Sequence, residues 1–239
     1  MMPIKHLIIS RMKFEDKELL NTYLKITKDV LVPSLESQTN KRFIWGGIVF
    51  PEDIVFIRNT LKFDFMPFLD CNDLFEYCKL ENVNIQTRHD MDDYMSPDYV
   101  EEIQNAYKQN IKKYNTFLIQ AQPVKLDYNT DKESAMAKYT DTRNSMFLSI
   151  CQKEVQHHIY EIKHAQMYKI ADTIITLDKN LTKWVIHGNN LTIQRRQKTE
   201  NKAYPRNVGH STEWEHRKSE LFRKIGLIEM RRDRLKRTT

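Results

Sequence analysis

The stretch Asn82 to Asp98, NVNIQTRHDMDDYMSPD, decides how this chain is read. Its first six residues, Asn82 to Thr87, predict a strand. Ser96-Pro97-Asp98 supplies a capping hydroxyl, a proline with preset φ and an acidic first turn, which predicts a helix running to about Tyr114. Between the two lie Asp90, Asp92 and Asp93. A strand that runs into acids and then a helix sets those acids at the strand's carboxyl end, where open α/β sheets bind ligands. Three carboxylates in four residues repel one another and lose solvation if buried together. A hard divalent cation, Mg²⁺ or Mn²⁺, resolves that conflict because it prefers oxygen ligands. It would also hold the diphosphate of a nucleotide and neutralise charge on a departing phosphate. An EF-hand loop is excluded, because Tyr94 and Met95 stand where it needs Asp or Asn and then Gly. An acidic helix cap in an exposed turn is the alternative that these residues alone leave open.

Outward from this stretch, strand and helix patterns alternate. His6 to Ser10 (HLIIS) is a buried strand, and Glu15 to Gln38 is helical in period, with Pro33 either kinking it or opening a second helix. Phe43 to Phe50 (FIWGGIVF) is a strand in which Gly46-Gly47 marks a bulge or a close-packing point. A short helix from Pro51 to about Leu61, a helix over Cys71 to Leu80 and a strand over Phe117 to Gln120 continue the alternation. The pattern is that of an α/β fold, an open, mixed, mostly parallel sheet flanked by helices. Beyond Asp127 the order loosens. Tyr128 to Arg143 reads as a mobile loop over a site; Met146 to Ile150, His158 to Ile162 and Trp184 to His187 read as short strands, and Glu213 to Lys224 as an amphipathic helix.

Composition bounds the function. The 239 residues are 40% hydrophobic and 29% charged, enough apolar content for a packed core. No apolar run approaches the roughly 20 residues of a membrane helix, and the opening MMPIKHLIIS has no cleavage-site pattern, so no secretory leader is expected. Cys71, Cys78 and Cys151 are scattered without CxxC spacing, which suits reduced thiols in a cytoplasmic protein. With five glycines and neither GxGxxG nor GxxxxGK[ST], a Rossmann dinucleotide site and a P-loop are excluded. The net charge of +6 is unevenly spread: Leu191 to Thr239 holds 14 Lys/Arg against 6 Asp/Glu, leaving the rest of the chain slightly acidic. That basic extension could meet anionic lipid at a membrane periphery, nucleic acid or an acidic partner, or be a solvated tail.

The strand-TRHDMDDYMSPDYV segment resembles the DxD motif of GT-A glycosyltransferases, especially the large inverting group in which Asp-x-Asp-Asp is followed by Pro-Asp. Three further stretches resemble the rhamnosyltransferase family within that fold: Ile8-Ile9-Ser10-Arg11-Met12; Pro33 to Asn40 (PSLESQTN) with Phe43-Ile44-Trp45; and Trp184 to Asn190 (WVIHGNN). They occur in the family's order and span residues 6 to 190. The resemblance implies a GT-A-like (Rossmann-like) nucleotide-sugar-binding and catalytic domain over residues 1–190, with the basic region 191–239 completing or flanking the acceptor side. It implies Asp90 facing the ribose or diphosphate, Asp92 and Asp93 holding the metal, His187 closing the metal or diphosphate shell, and Arg11 and Arg88 contacting nucleotide, phosphate or a neighbouring aspartate. A salt-bridge role for Arg11 and a backbone-satisfied His187 are the plainer alternatives. The sequence departs from the family at His89, where an apolar residue is usual.

Inverting transfer needs a base beside the acceptor hydroxyl, and the analogy points to Glu154 or His164. His157, Glu161 and His164 would share a helical face as zinc ligands do, but HExxH is absent and His158-Ile-Tyr-Glu-Ile alternates like a strand. The function expected is therefore metal-dependent transfer of a sugar from a nucleotide-diphosphate donor to a hydroxyl of a glycan, a lipid-linked glycan or modified-base DNA. The competing class is a nucleic-acid-binding protein or metal-dependent nuclease using Asp90 to Asp93 and the basic C-terminal region. A third is a catalytically silent module of the same fold.

Overall fold

A computed structural model describes residues 3–127, 132–134 and 147–186 of the chain, with side chains over 3–121, 147–163 and 166–185. The chain divides into two units, Met1–His187 and Gly188–Thr239. The second unit, with the expected helix at Glu213 to Lys224 and the basic segment, lies outside the described residues, as does most of the expected loop Tyr128 to Arg143.

The first unit is the expected α/β architecture. Its strands are β1 (His6–Arg11), β2 (Ile44–Ile48), β3 (Met66–Phe68), β4 (Ile85–Arg88), β5 (Tyr94–Met95), β6 (Thr116–Asp127), β7 (Lys132–Ser134), β8 (Leu148–Gln152) and β9 (Thr173–Ile186). They form one sheet in the order β3-β2-β1-β4-β8-β6-β9-β5, with β7 beside β6. The pairs β2–β3, β1–β2, β1–β4 and β6–β9 are parallel; β8 runs antiparallel between β4 and β6, and β5 lies antiparallel against β9. The carboxyl ends of β1, β2, β3 and β4 consequently share one edge, and that edge carries the acidic trio.

The helices are α1 (Lys17–Ile26), α2 (Val32–Glu36), α3 (Ile54–Leu61), α4 (Cys71–Leu80) and α5 (Tyr99–Asn110). Asp16 starts α1 by accepting from the N–H groups of Glu18 and Leu19. Pro33 has no N–H to donate, and the chain makes a π turn over Thr27–Leu31 before continuing as α2, with Pro33 in its first turn. Asp70 and Asp73 cap α4 reciprocally: Asp70 accepts from the Asp73 N–H at 2.9 Å, and Asp73 from the Leu69 N–H at 3.0 Å.

One face of the sheet packs Leu7, Ile9, Ile48, Phe68, Leu118 and Ile150 against Leu74, Tyr77 and Cys78 of α4 and against Ile159 and Met167 beyond β8. The opposite face lies under α5, whose Tyr107 stacks on Phe117. Gly46 and Gly47 are a close-packing point. A Cβ on Gly46 would stand 2.6 Å from the Phe68 ring and one on Gly47 2.9 Å from the Met12 sulfur, while the β1–β2 register runs through both without a bulge.

Two expectations are corrected. His158 to Ile162 is not a strand: it is a turn whose backbone is held by Gln86, which donates to the His157 carbonyl and accepts from the Ile159 N–H. The strand expected at Trp184 begins eleven residues earlier, at Thr173. β3, β5 and β7 have no counterpart in the expected elements, because two or three residues cannot display a period, and β7 stands within the expected loop Tyr128 to Arg143. Among the described residues, no helix is long and apolar enough to cross a membrane.

Candidate functional site

At the shared edge, β4 ends in Arg88 and the chain continues alongside β1, with the His89 N–H donating to the Ile9 carbonyl at 3.0 Å. His89 is buried, its ring edge-on to Tyr99 and tilted against Phe147, and its Nδ1 meets the Asp90 carbonyl at 2.9 Å. Burial depresses its pKa to about 4, so it is a neutral filler, which explains how it stands where the resembling family has an apolar residue.

The three aspartates are not equivalent. The Asp90 side chain is 39% exposed, whereas Asp92 and Asp93 are buried. Asp93 Oδ1 accepts the Val185 N–H of β9 at 2.9 Å. One oxygen of Asp93 is thus committed to the backbone. Burial, and then the charges of Asp92 and Asp90, push its pKa well above the carboxylate range, against the pull of that hydrogen bond and of Arg88. The loop is pinned from both sides. Tyr94 and Met95 pair with Lys183 and Thr182 of β9, the Ser96 N–H donates to the Leu181 carbonyl, and the Gln38 amide donates to the Ser96 carbonyl at 2.7 Å.

Cations gather beside the acids. The Arg88 guanidinium lies 3.5 Å from Asp90 Oδ1 and 5.4 Å from the centre of the Tyr160 ring. Burial alone would lower its pKa, but the charges of Asp90, Tyr160 and Asp93 more than offset this and raise it. The Tyr160 hydroxyl donates to the Ile9 carbonyl at 3.3 Å; burial raises its pKa, opposed by Arg88 and Arg11. Arg11, exposed at the end of β1, acts on both Tyr160 and Cys71, and Lys13 acts on Cys71 while its Nζ sits 4.6 Å from the Phe50 ring centre. The edge therefore presents Arg88 against Asp90 and Arg11 beside Tyr160, a setting for an anion held close to a carboxylate site.

Of the expected site residues, Arg11, Arg88, Asp90, Asp92 and Asp93 come together here. Glu154 does not. β8 runs antiparallel to β4, so Gln152 is hydrogen-bonded to Asn84 at the amino end of β4 and Glu154 follows at that far edge, exposed. The backbone of His164 opens a 3₁₀ turn, His164–Ile170, on the chain between Tyr160, at the site edge, and Asp172, whose N–H bonds the Thr116 carbonyl. The His164 side chain and all of His187 lie outside the described residues. Of the zinc candidates, His157 pairs with Glu161 at 3.0 Å and His158 packs on Phe75. Among the described residues, no three His, Cys, Asp or Glu side chains are grouped to hold a metal ion. Tyr160 is a site residue that no sequence pattern marked; it lies 72 residues beyond Arg88 with no local pattern to link them.

No family model matches the sequence, and no curated protein matches it, so the rhamnosyltransferase resemblance rests on the quoted motifs. Solved structures with a similar chain course include TarS 1-349 of S. aureus in complex with UDP-GlcNAc, at 11% identity and a TM-score of 0.48 over 78% of this chain and 60% of that one. This chain thus spans about three fifths of the TarS fragment. 4-Diphosphocytidyl-2C-methyl-D-erythritol synthase of Anaerococcus prevotii DSM 20548 is similar at 11% identity and a TM-score of 0.44, over 83% of this chain and 99% of that one. A protein of Desulfovibrio desulfuricans G20 described as a nucleotide-diphospho-sugar transferase is similar at 10% identity and a TM-score of 0.40, over 92% and 97%.

Proposed function

We propose that this chain is a metal-dependent glycosyltransferase that takes a sugar from a nucleotide-diphosphate donor and passes it, with inversion, to a hydroxyl acceptor. The observation that carries the proposal is the acidic trio at the carboxyl edge of β4, with Asp92 and Asp93 buried and Asp90 open to solvent beside Arg88. A buried carboxylate whose pKa is raised by burial and by two neighbouring carboxylates calls for a cation, and a cationic side chain next to them calls for an anion. A nucleoside diphosphate bridged to a divalent ion meets both demands.

Asp92 and Asp90 would hold Mg²⁺ or Mn²⁺, hard ions that are usually bound by one or two protein carboxylates together with substrate phosphates. Asp93, with one oxygen on Val185, positions the loop. When bound, the ion would supply positive charge to the departing diphosphate. Arg88 and Arg11 orient the diphosphate and share its growing negative charge as the bond to the anomeric carbon breaks. The acceptor oxygen forms the new bond to that carbon, the nucleoside diphosphate leaves with the electron pair of the old one, and the acceptor proton passes to a base. His164 is the candidate base, since its backbone lies on the turn leaving the site edge.

The test is binding and turnover of nucleotide sugars by the full chain with and without Mn²⁺. The expected result is Mn²⁺-dependent binding that Asp92→Asn abolishes while the variant stays folded. A chain that binds no nucleoside diphosphate under either condition refutes the proposal.

A further inference from the structure

Five glutamines are buried among the described residues: Gln38, Gln86, Gln104, Gln120 and Gln152. Four are held at both ends of the amide. Gln38 donates to the Ser34 and Ser96 carbonyls and accepts from the Val100 N–H. Gln86 donates to the His157 carbonyl and accepts from the Ile159 N–H. Gln104 donates to the Arg42 carbonyl and accepts from Asn40, and Gln152 donates to the His157 carbonyl and accepts from the N–H groups of Gln156 and His157. Gln120 differs from all of them. It is 0% exposed, and neither its Oε1 nor its Nε2 has a hydrogen-bond partner. An amide withdrawn from water without new hydrogen bonds is a liability that a leucine or methionine of similar size would avoid.

The sheet register says where this amide sits. Ser149 of β8 pairs with Thr87 of β4 and with Ile119 of β6. Arg88, Leu148 and Gln120 are therefore the next residues toward the site edge on three adjacent strands, and they share a face. At a strand spacing of about 4.8 Å, Gln120 lies roughly 10 Å across the sheet from Arg88. Its partner on the following strand, Thr176 of β9, is exposed, so the row ends at solvent beside Gln120. The turn His164–Ile170 belongs to the same side of the sheet, where Met167 joins the core with Leu118 and Leu148.

We propose that Gln120 binds hydroxyl groups of the transferred sugar and thereby selects the donor, a role that presupposes the glycosyl transfer proposed above. A carboxamide offers two donors and an acceptor in one plane. Neighbouring sugar hydroxyls each donate and accept, and can satisfy both ends together. A phosphate would call for a cation at this position, and an apolar group would leave the amide as unpaired as before. With the diphosphate held beside Arg88, the sugar attached to it extends along the site edge toward Gln120.

The test compares the full wild-type chain with Gln120→Met and Gln120→Leu by calorimetric titration in Mn²⁺, using uridine and guanosine diphosphates, each free and as its hexose conjugates. The expected wild type binds at least one conjugate more tightly than the free diphosphate. Both variants should lose about tenfold in affinity for that conjugate, keep their affinity for the free diphosphate, and melt no lower than wild type. If the wild type prefers no conjugate, or its preference survives in both variants, the assignment of Gln120 is overturned and the diphosphate site stands. If both variants melt well below wild type or fail to fold, the amide is structural and the assignment is again overturned. If the wild type binds no diphosphate at all, glycosyl transfer itself falls, and this role with it.

Discussion

Asp93 and Val185 lie 92 positions apart in sequence, yet the Val185 N–H donates to the Asp93 carboxylate at 2.9 Å. This bond fastens the acidic loop to β9 and sets Asp93 apart from Asp92 and Asp90. Replacing Asp93 by Ala leaves a buried N–H without its acceptor and should cost about 1–3 kcal/mol of stability. Asp93→Asn keeps an acceptor oxygen and removes one of three repelling charges, so it should be at least as stable as wild type near neutral pH. The sign follows from the raised pKa: above the ordinary carboxylate range the unfolded chain releases the Asp93 proton more readily, so this group subtracts stability as pH rises. Urea unfolding of the two variants at pH 7 checks the ranking.

Gln38 secures the other side of the same loop, with its Nε2 2.9 Å from the Ser34 carbonyl and 2.7 Å from that of Ser96, and its Oε1 3.0 Å from the Val100 N–H. Gln38→Leu strands these buried backbone groups together and should destabilise the fold by roughly 2–4 kcal/mol. Hydrogen exchange at Val100 should rise in the variant beyond the change at Leu24 of α1; equal changes at both would mean that the clamp is not local.

His6 is buried under β4, its Nε2 2.7 Å from Thr87 Oγ1, and burial lowers its pKa to about 3. An unfolded histidine takes up its proton near pH 6.5. Its contribution is therefore complete above that value and is lost as pH falls toward about 3. His6→Leu should flatten the acid limb of the stability curve, with about one proton fewer taken up on unfolding at pH 5. Urea midpoints measured from pH 7 to pH 4 give the slope; an unchanged slope would place the acid sensitivity elsewhere.

The two glycines of β2 should respond differently to alanine. At Gly46 the added carbon meets the rigid Phe68 ring at 2.6 Å, whereas at Gly47 the nearest atom is the sulfur of Met12, at 2.9 Å, on a flexible side chain. Gly46→Ala should cost about 1–3 kcal/mol and Gly47→Ala less. Thermal melts of the pair decide the order.

What the sequence determined by itself is what local chemistry encodes. The cap and proline at Ser96-Pro97-Asp98, the proline of α2, the apolar run of β1 and the strand-acid-helix order around Asp90 to Asp93 all act within a few residues, so their signatures lie side by side in the chain. Together they were enough for the α/β class and for the edge of the sheet that carries the acids.

Pairing between distant segments was decided only by the tertiary structure. Tyr160 covers Arg88 and Val185 holds Asp93 because β8 and β9 return to the sheet after long excursions, and no local period announces such partners. The antiparallel sense of β8 sent Glu154 to the far edge, a choice made by backbone hydrogen bonding across the sheet. Burial likewise distinguished the three aspartates, identical as side chains, and left Gln120, of the five glutamines buried among the described residues, the one without a partner. Solvation and pairing energies depend on what surrounds a group in space, and only the folded chain supplies those surroundings.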